Sequence, residues 1–484
     1  MPSHGPDRPG RLVMLVDNAV DGDSRVQKAA RAAADAGWHV TVLGCAPGPT
    51  ARTRRLGAAR LLLLPLSGGD DRGAPGGAGW RARLLARGGL PLRLARLAKR
   101  PVDRARVWYW RAAAGDRAWR RLEPGLWHYE RAFGPVVDDL APDLIHAHDV
   151  RMLGVGARAA ARARAVGRPV RLLWDAHEYL PGVKPGRNNA CWLPAHRGYA
   201  REYAGRADAV VTVSAPIADL MRREYRLATR PTVVLNAPDL AAGPAAAPPD
   251  LRRQCGIGPA TPLLVYSGAA LPQRGLDTAV AALPRLPGVH LALVVGDPAA
   301  PYVRAVLGRA ARRGVADRVH ALPYVPHDAV VPYLAAADVG LIPLHHWPNH
   351  ELALITKFFE YAHARLPIVV SDVRTMAATV RRTGQGEVFR ARSAAGLARA
   401  VRAVLADPAR YRAAYDRPDC LLPEWTWAAQ AATLTTLYRT LAPPSSAPPP
   451  PAAIVPPGSA APPSSAATPS AGGRAAGAGA VGSA

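Results

Sequence analysis

Residues 353–372, ALITKFFEYAHARLPIVVSD, join a short amphipathic helix directly to an apolar strand. An apolar strand entered from a helix is typical of a parallel sheet that is covered by helices on both faces. Lys357 and Glu360 lie three residues apart, on one face of the predicted helix. Such a pair is either a surface ion pair, worth about 0.2–0.5 kcal/mol, or part of a ligand site at the carboxyl end of a strand.

Short apolar runs alternate with helical patterns along most of the chain, which indicates parallel α/β architecture. The predicted strands of the first half are RLVMLVDN, WHVTVLGC, RLLLLPL, DLIHAHD, RLLWDAHE and AVVTVS. The predicted strands of the second half are PLLVYSG, VHLALVVGD, RVHALPYV, VGLIPL and PIVVSD. We therefore expect two doubly wound, Rossmann-like domains that face each other across a cleft.

The predicted boundaries follow the changes in composition along the chain. The first domain covers residues 1–240, with a basic insertion at about 72–122, and the second covers 251–424. Residues 236–250 are rich in Pro and Ala and form the predicted linker. A helix over 425–441 is expected to cross back to the first domain. Residues 443–484 contain mostly Pro, Ala, Ser and Gly, and this composition predicts a disordered tail.

The formal net charge of +26 is distributed unevenly. Residues 80–122 contain 13 Arg or Lys and two Asp, a net charge of +11, with four Trp and one Tyr among them. Basic and aromatic segments suit an anionic membrane surface, polyphosphate or RNA, or a merely solvated helix face. Only four of the 62 basic residues are Lys, so genomic base composition also contributes to the charge.

The four cysteines, at positions 45, 191, 255 and 420, show no metal-ligand spacing, and we expect a reducing compartment. The first apolar run is too short and interrupted for a secretion signal. No run reaches the roughly 20 apolar residues of a membrane-spanning helix. These features predict a cytoplasmic protein, with peripheral association at the inner face of the cytoplasmic membrane as an open alternative.

Polar residues follow three strands of the first domain, where parallel sheets bind ligands. Gly22 and Arg25 follow the first strand, and a glycine loop before a helix can accept a phosphate. The other two strands end in two groups of polar residues: His146, His148 and Asp149, and Asp175, His177 and Glu178. We considered a zinc site here, but the sequence offers no evident third ligand and we predict no metal. These groups are expected to bind a hydroxylated ligand or one another.

In the second domain, the corresponding positions carry groups that suit a nucleoside diphosphate. An arginine beside a strand-to-helix loop can fork onto a phosphate, and a lysine at a helix start also favours an anion. A carboxylate one turn deeper can accept both hydroxyls of a ribose. The predicted nucleotide-site residues of this domain are Ser267, Gly268, Arg274, Gly296, Asp297, Lys357 and Glu360.

The chain resembles the retaining glycosyltransferases of the GT-B fold, specifically glycosyltransferase family 4. The resemblance is carried by the segments DGDSRVQKAARAAADAGWHVTVLG, PDLIHAHD, DAHEYLPG, ADAVVTVSAPIADLM, VVLNAP, YSGAALPQRGLDTAV, VHLALVVGD, YLAAADVGLIPL, KFFEYAHARLPIVVSD and EWTWAAQAATLTTLYRTL. Their order and spacing cover about residues 11–441. The resemblance implies transfer of a sugar from a nucleotide-diphosphate sugar, UDP rather than GDP, to a hydroxyl acceptor with retention of configuration.

The resemblance also implies roles for individual residues. Arg274 and Lys357 would bind the donor diphosphate, Glu360 the ribose, and His177 would face the transferred sugar; His177, Arg274 and Lys357 are the expected catalytic residues. Gly22 and the start of the next helix, with Arg25, would lie near the donor phosphate or the acceptor. No metal or other cofactor is implied, since fixed cations stabilise the leaving group. One departure is Leu352, where the family often has a glutamate; Glu351 is one residue away.

The acceptor is not encoded by any pattern, although a lipid-linked one fits the basic insertion, and the context is expected to be cell-envelope polysaccharide, glycolipid or secondary-metabolite glycosylation. Two alternatives remain open. The chain could be a non-catalytic GT-B paralogue, given Leu352. It could also bind nucleic acid, given its charge, although no recognition module is evident.

Overall fold

In the computed structural model of the protein, residues 10–66, 90–183, 190–240 and 249–442 are described. They form two α/β domains, each built around its own sheet, and the two doubly wound domains predicted from the sequence are confirmed. Residues 72–89 of the predicted basic insertion, most of the predicted linker and the predicted disordered tail lie outside the described residues.

The first sheet has eight strands in the order β3-β4-β2-β1-β5-β6-β7-β8. All neighbouring pairs are parallel except β3 and β4. The strands are β1 Arg11–Leu15, β2 His39–Cys45, β3 Arg52–Leu56, β4 Ala59–Leu64, β5 Leu144–His148, β6 Arg171–Ala176, β7 Ala209–Thr212 and β8 Thr232–Val233. The strand order reverses direction between β1 and β5, which is where a sheet of this type opens a crevice for a ligand.

The second sheet has six parallel strands in the order β11-β10-β9-β12-β13-β14. The strands are β9 Leu263–Ser267, β10 His290–Val295, β11 Val319–Pro323, β12 Val339–Ile342, β13 Ile368–Ser371 and β14 Gly386–Phe389. The apolar strand predicted from the opening stretch is β13, and all four of its residues are buried. Here the order reverses between β9 and β12, so the crevice lies beside the loop that precedes Lys357.

Helices cover both faces of each sheet. In the first domain they are α1 Ser24–Asp35, α2 Leu90–Ala114, α3 Trp119–Leu122, α4 Leu126–Leu140, α5 Asp149–Ala165, α6 Trp192–Ala204 and α7 Ala215–Tyr225. In the second they are α8 Leu251–Gln254, α9 Leu276–Ala282, α10 Pro301–Arg312, α11 Val330–Leu334, α12 Thr356–His363, α13 Arg374–Thr383, α14 Ala394–Ala406 and α15 Pro408–Ala413. Because both faces of each sheet are covered, the central strands are buried along their length, as in β9, where all five residues are buried.

The last helix, α16 (Trp427–Leu441), packs on the first domain although it follows the second along the chain. Its buried residues Trp427, Leu434 and Tyr438 share an apolar cluster with β1 and α1. The Tyr438 hydroxyl also lies 2.9 Å from His146 Nδ1 on β5. The first domain is therefore completed by the end of the chain, so the two domains are joined by two crossing segments.

The described part of the basic insertion is helical and anchored by one face. Trp119 is fully buried, and its indole donates to Glu202 at 2.7 Å. Arg120 forks onto the same carboxylate at 2.6 and 2.8 Å. On α2, Val107 and Trp110 pack against the first domain's core. Within the described residues, no helix is long and apolar enough to span a bilayer.

Candidate active site

The helix α12 carries Lys357 and Glu360 at the crevice of the second sheet. Phe358, Phe359 and Tyr361 are fully buried and fix the helix in the core. Lys357 Nζ lies 2.8 Å from Glu360 Oε2, and the two side chains are 20% and 6% exposed. No donor among the described residues reaches that oxygen with hydrogen-bonding geometry, despite the short ion-pair distance. The ion pair is therefore largely buried, and its carboxylate can still accept hydrogen bonds.

The ends of β10 and β11 border this pair. Tyr324, just after β11, lies with its ring centroid 5.8 Å from Lys357 Nζ and is 48% exposed. Gly296, just after β10, faces the Tyr324 ring, since an added Cβ would lie 3.2 Å from Tyr324 Cε2. Asp297 accepts from the Ala299 amide at 2.8 Å and is exposed. Gly296 is therefore brought close to Lys357, whereas the Asp297 carboxylate is used in its own loop.

The end of β9 is tied directly to α12. The Ser267 amide donates to the Tyr361 hydroxyl at 2.7 Å, and Gly268 has φ +145°. Arg274 ends a 3-10 turn, and Gly275 follows it with φ +75°. An added Cβ at Gly275 would lie 1.8 Å from the Pro343 carbonyl oxygen, so only glycine allows this close approach of the two loops. Glycine thus holds Arg274 against the loop that leads to α12.

Charged side chains of the loop after β9 and of helix α12 both act on the Tyr324 hydroxyl. Burial raises the pKa of the Tyr324 hydroxyl; the Glu360 carboxylate adds to this effect and the Arg274 guanidinium opposes it. Arg274, Lys357 and Glu360 therefore surround one space at the carboxyl edge of the second sheet. Ser267, Gly268 and Gly296 lie beside it in the chain, at the ends of the paired strands β9 and β10.

On the first domain, Arg25 is placed differently from the predicted donor-binding position. Its guanidinium is 3% exposed and forks onto Asp175, with Nε–Oδ2 2.8 Å and Nη2–Oδ1 2.9 Å. Its third nitrogen donates to the Val234 carbonyl at 2.8 Å. Burial alone would raise the pKa of Asp175, but Arg25 and His177 outweigh it and hold that pKa well below the usual range. Arg25 is a buried partner of Asp175 and does not offer its charge to a phosphate.

Gly22 lies in the exposed turn before α1. An added Cβ there would meet no atom of the described residues within 4 Å. Its neighbour Asp23 caps α1 by accepting from the Val26 amide at 3.1 Å. The turn leaves room for a ligand, and nothing in its local geometry requires glycine.

Three buried residues near the carboxyl ends of β5 and β6 could in principle hold a metal: His146, His148 and Asp175. Both oxygens of Asp175, however, already accept from Arg25. His146 Nδ1 lies 2.9 Å from the Tyr438 hydroxyl, and His148 Nδ1 lies 3.2 Å from His177 Nε2. Burial lowers the pKa of both His146 and His148, so both rings are kept neutral. This donor set fits a hydrogen-bonded network that supports His177.

His177 faces the cleft in contact with two carboxylates. Its Nδ1 lies 3.3 Å from Asp149 Oδ2, and its Nε2 lies 3.7 Å from Asp175 Oδ2. Burial alone would lower the pKa of His177, but the carboxylates of Asp149 and Asp175 outweigh it and raise that pKa. Burial in turn raises the pKa of Asp149. Asp149 also has φ +60°, a conformation that costs free energy for a residue with a Cβ and is typical of functional positions.

The two domains meet at several points around this space. Glu178, which follows His177, lies close enough to Arg274 for that guanidinium to affect its pKa. The Ser214 hydroxyl donates to the Leu352 carbonyl at 2.7 Å, and Leu352 packs against the first domain's core. Arg274, Lys357 and Glu360 of the second domain therefore lie opposite His177 and Glu178 of the first.

The Glu351 carboxylate contacts groups outside the space around Lys357 and Glu360. One carboxylate oxygen accepts from the Arg374 amide at 2.7 Å, at the start of α13. The other lies 2.6 Å from His346 Nδ1. The carboxylate next to Leu352 therefore stabilises a helix start, and Leu352 itself makes a domain contact.

Two residues of this region were not predicted from the sequence as site residues: Lys28, whose pKa the Glu360 carboxylate affects, and Tyr324. Tyr324 follows a strand, so the strand-end rule contained the signal for it. Lys28 lies one turn after Arg25 on α1, and only its spacing from Arg25 placed it on the same helix face.

Comparison with known proteins agrees with this arrangement. Residues 24–242 match the family Glycosyltransferase Family 4, and residues 261–407 match the family Glycosyl transferases group 1. The two matches together cover most of the chain. They fall on the first and second domain, respectively.

Two proteins related to this chain are a glycogen synthase and a glycosyltransferase. A glycogen synthase of Mycobacterium tuberculosis is 29% identical over 306 residues, which cover 61% of this chain and 68% of that protein. A D-inositol 3-phosphate glycosyltransferase of Nocardia farcinica is 28% identical over 195 residues, which cover 39% and 42% of the two chains.

Solved structures share the fold. Sucrose-phosphate synthase from Thermosynechococcus elongatus superposes with a TM-score of 0.64 at 19% identity, covering 89% of this chain and 99% of that one. Anabaena HepE, solved in complex with UDP and glucose, has a TM-score of 0.59 at 15% identity, covering 89% and 100%. The chain thus has the GT-B fold and consists of a Glycosyltransferase Family 4 domain followed by a Glycosyl transferases group 1 domain.

Proposed function

We propose that this enzyme transfers a sugar from a UDP-sugar to a hydroxyl acceptor, with retention of anomeric configuration and without a metal. The observation that carries the proposal is the space bounded by Arg274, Lys357 and Glu360, which faces His177 across the cleft. Two cations and an unfilled carboxylate acceptor match the diphosphate and the ribose of a nucleoside diphosphate. Anabaena HepE in complex with UDP-glucose, and an Escherichia coli trehalose-6-phosphate structure bound with UDP-2-fluoro glucose, have the same fold and support the uridine assignment.

The proposed step breaks the bond between the anomeric carbon and the diphosphate oxygen. A bond from the acceptor oxygen to the same face of that carbon forms, and the acceptor proton moves to the departing diphosphate. Arg274 and Lys357 would stabilise the charge that develops on the leaving group. The His177 side chain, held by Asp149 and His148, would position the sugar, because preorganised groups lower the barrier without moving.

Calorimetric titration of the protein with UDP, GDP and ADP tests the donor class. We expect saturable binding of UDP, with GDP and ADP bound at least about tenfold more weakly, a difference of about 1.4 kcal/mol. Tighter binding of GDP or ADP would overturn the uridine assignment. Absence of binding to all three would favour the non-catalytic or nucleic-acid-binding alternatives, which an oligonucleotide titration at two salt concentrations separates.

Stereochemistry needs its own measurement. The product formed from a UDP-sugar of known α configuration should retain that configuration when followed by proton NMR from the first minutes. An inverted product would refute the proposed same-face step.

We further propose that the α2 surface, defined as Val102, Arg104, Arg106, Trp108, Tyr109 and Arg111, contacts an anionic membrane that carries the acceptor. Val102, Trp108 and Tyr109 are 65%, 74% and 57% exposed, which is unusual for large apolar side chains. The three arginines are exposed beside them. Since the opposite face of α2 packs on the core, the surface is held in a fixed orientation. Aromatic and basic side chains together suit the boundary of an anionic bilayer.

Flotation with vesicles tests this surface. Replacing Trp108 and Tyr109 together by Ser should reduce the bound fraction on phosphatidylglycerol vesicles about tenfold or more, because each inserted ring contributes at least about 1 kcal/mol. Val166→Ser is a matched control, since Val166 is 75% exposed just after another helix, α5. Equal flotation of all three proteins would refute the membrane assignment. Loss of oligonucleotide binding instead of vesicle binding would assign the surface to nucleic acid.

A further inference from the structure

Lys28 lies where the chain crosses between the domains. It is on α1 of the first domain and is only 7% exposed. Its Nζ donates to Asn236 Oδ1 at 3.0 Å and to the Ala237 carbonyl, both on the segment that leaves the first domain. The same Nζ lies 4.8 Å from the ring centroid of Trp427, on the segment that returns. One amine therefore contacts both crossing segments.

The two crossing segments are also bonded to each other. The Trp427 amide donates to the Pro238 carbonyl at 2.8 Å. The Leu235 amide donates to Gln430 Oε1 at 2.7 Å. Any change in the relative position of the domains must act on this junction, because both connections pass through it. Lys28 is thus in a position to stabilise one arrangement of the domains.

Charged groups from both domains act on Lys28. Burial lowers the pKa of its amine to about 7, and the neighbouring Arg25 adds to that effect. Glu360, Asp239 and Asp23 oppose it. His327 is also close, since the Lys28 charge is among the causes that lower the pKa of His327. Lys28 is therefore poised to change its protonation state in response to charge beside Glu360.

We propose that Lys28 is a positioning residue of the donor site, which holds the two crossing segments together and takes up a proton when a nucleoside diphosphate binds beside Glu360. This inference rests on the proposed function. A bound diphosphate brings negative charge to Lys357 and Glu360, and that charge favours the protonated amine. By linkage, nucleotide affinity must then fall as the pH rises above 7 toward the higher pKa of the bound state.

The test is calorimetry of UDP binding at pH 8 in two buffers of different ionisation enthalpy, which gives the number of protons taken up. At this pH the nucleotide phosphate is already ionised, since its second pKa is about 6. We expect the unchanged protein to take up roughly half a proton per UDP. Lys28→Met should take up markedly less, whereas Arg31→Met, which removes an exposed charge from the same helix, should not differ from the unchanged protein. Asp149 and His177 titrate alike in all three proteins, so a difference in proton uptake between them measures the contribution of Lys28.

Lys28→Arg keeps the charge but does not titrate near pH 8, so it decides the question even if Lys28→Met fails to fold. This variant should bind UDP with less pH dependence between pH 7 and 9 than the unchanged protein and with reduced proton uptake. Unchanged uptake in Lys28→Arg or in folded Lys28→Met would overturn the inference while the proposed function stands. Failure of the unchanged protein to bind UDP would overturn the inference together with the proposed uridine site.

Discussion

A Glu360→Gln protein should bind UDP about 10- to 100-fold more weakly than the unchanged protein. The Glu360 side chain is 6% exposed, and its Oε2 has no hydrogen-bond donor among the described residues apart from the adjacent Lys357 ion pair. In the proposed complex this carboxylate accepts hydrogen bonds from the hydroxyls of the ribose. A hydrogen bond to a charged acceptor contributes about 1.5–3 kcal/mol, and glutamine removes the charge while keeping the shape.

Calorimetry with UDP measures the effect, and Glu351→Gln provides the control. Glu351 lies nine positions earlier and undergoes the same chemical change, but its carboxylate stabilises the start of α13. The control should lose up to about 2 kcal/mol of unfolding free energy and keep its UDP affinity within about threefold. A similar loss of affinity in both variants would point to a general change in the domain. No loss in Glu360→Gln would remove Glu360 from the donor site.

The fold could be predicted because the central strands are short apolar runs that are recognisable in the sequence. Each of β9, β12 and β13 is a run of four or five buried residues, which few other structures produce. The strand β3 was not predicted, because its sequence RTRRL has four exposed residues out of five. It pairs antiparallel at the edge of the sheet, where charged side chains are tolerated and discourage pairing with other chains. Its existence depends on β4, and no local pattern encodes it.

The positions of the candidate site followed from the strand-end rule, but the partners of its side chains did not. Lys357 and Glu360 are three residues apart, so their contact could be expected from helix geometry. Arg25 could equally have pointed into the cleft, and its actual partner Asp175 lies 150 residues further along the chain. Likewise, Tyr438 reaches His146 across 292 residues. Such pairings depend on tertiary packing, which one sequence does not reveal.

Replacing Arg25 by Met should lower the unfolding free energy of the first domain by about 3–5 kcal/mol, because the variant leaves a buried carboxylate without its partner. Arg54→Met is the control: Arg54 also pairs with an aspartate of the first domain, but the two side chains are 46% and 67% exposed. That exposed pair should contribute no more than about 1 kcal/mol. Urea unfolding followed by far-UV circular dichroism measures both, and equal losses in the two variants would contradict the assignment.

The pH dependence of the stability lost in Arg25→Met identifies the cause of that loss. In the unchanged protein the pKa of Asp175 lies well below its usual range, so its pairing stabilises the fold above the unfolded pKa of about 3.9 and is lost as the pH falls through the lower folded pKa. Without Arg25, burial raises that pKa above the unfolded value, and the variant becomes relatively more stable as the carboxyl takes up its proton. The difference in unfolding free energy between the unchanged protein and Arg25→Met should therefore become smaller as the pH falls from 7 toward 4. A constant difference would indicate lost packing of the arginine side chain instead.

The double variant Arg25→Met/Asp175→Leu separates stability from positioning. Replacing both members of a buried ion pair by apolar residues is often neutral or stabilising, so most of the lost free energy should return. UDP affinity should stay within a few-fold, because the donor groups belong to the second domain. Sugar transfer should still be slowed, since Asp175 lies 3.7 Å from His177 Nε2 and contributes to its raised pKa. If the double variant transferred sugar at the unchanged rate, the buried pair would serve the fold alone, and Asp149 would be sufficient to hold His177.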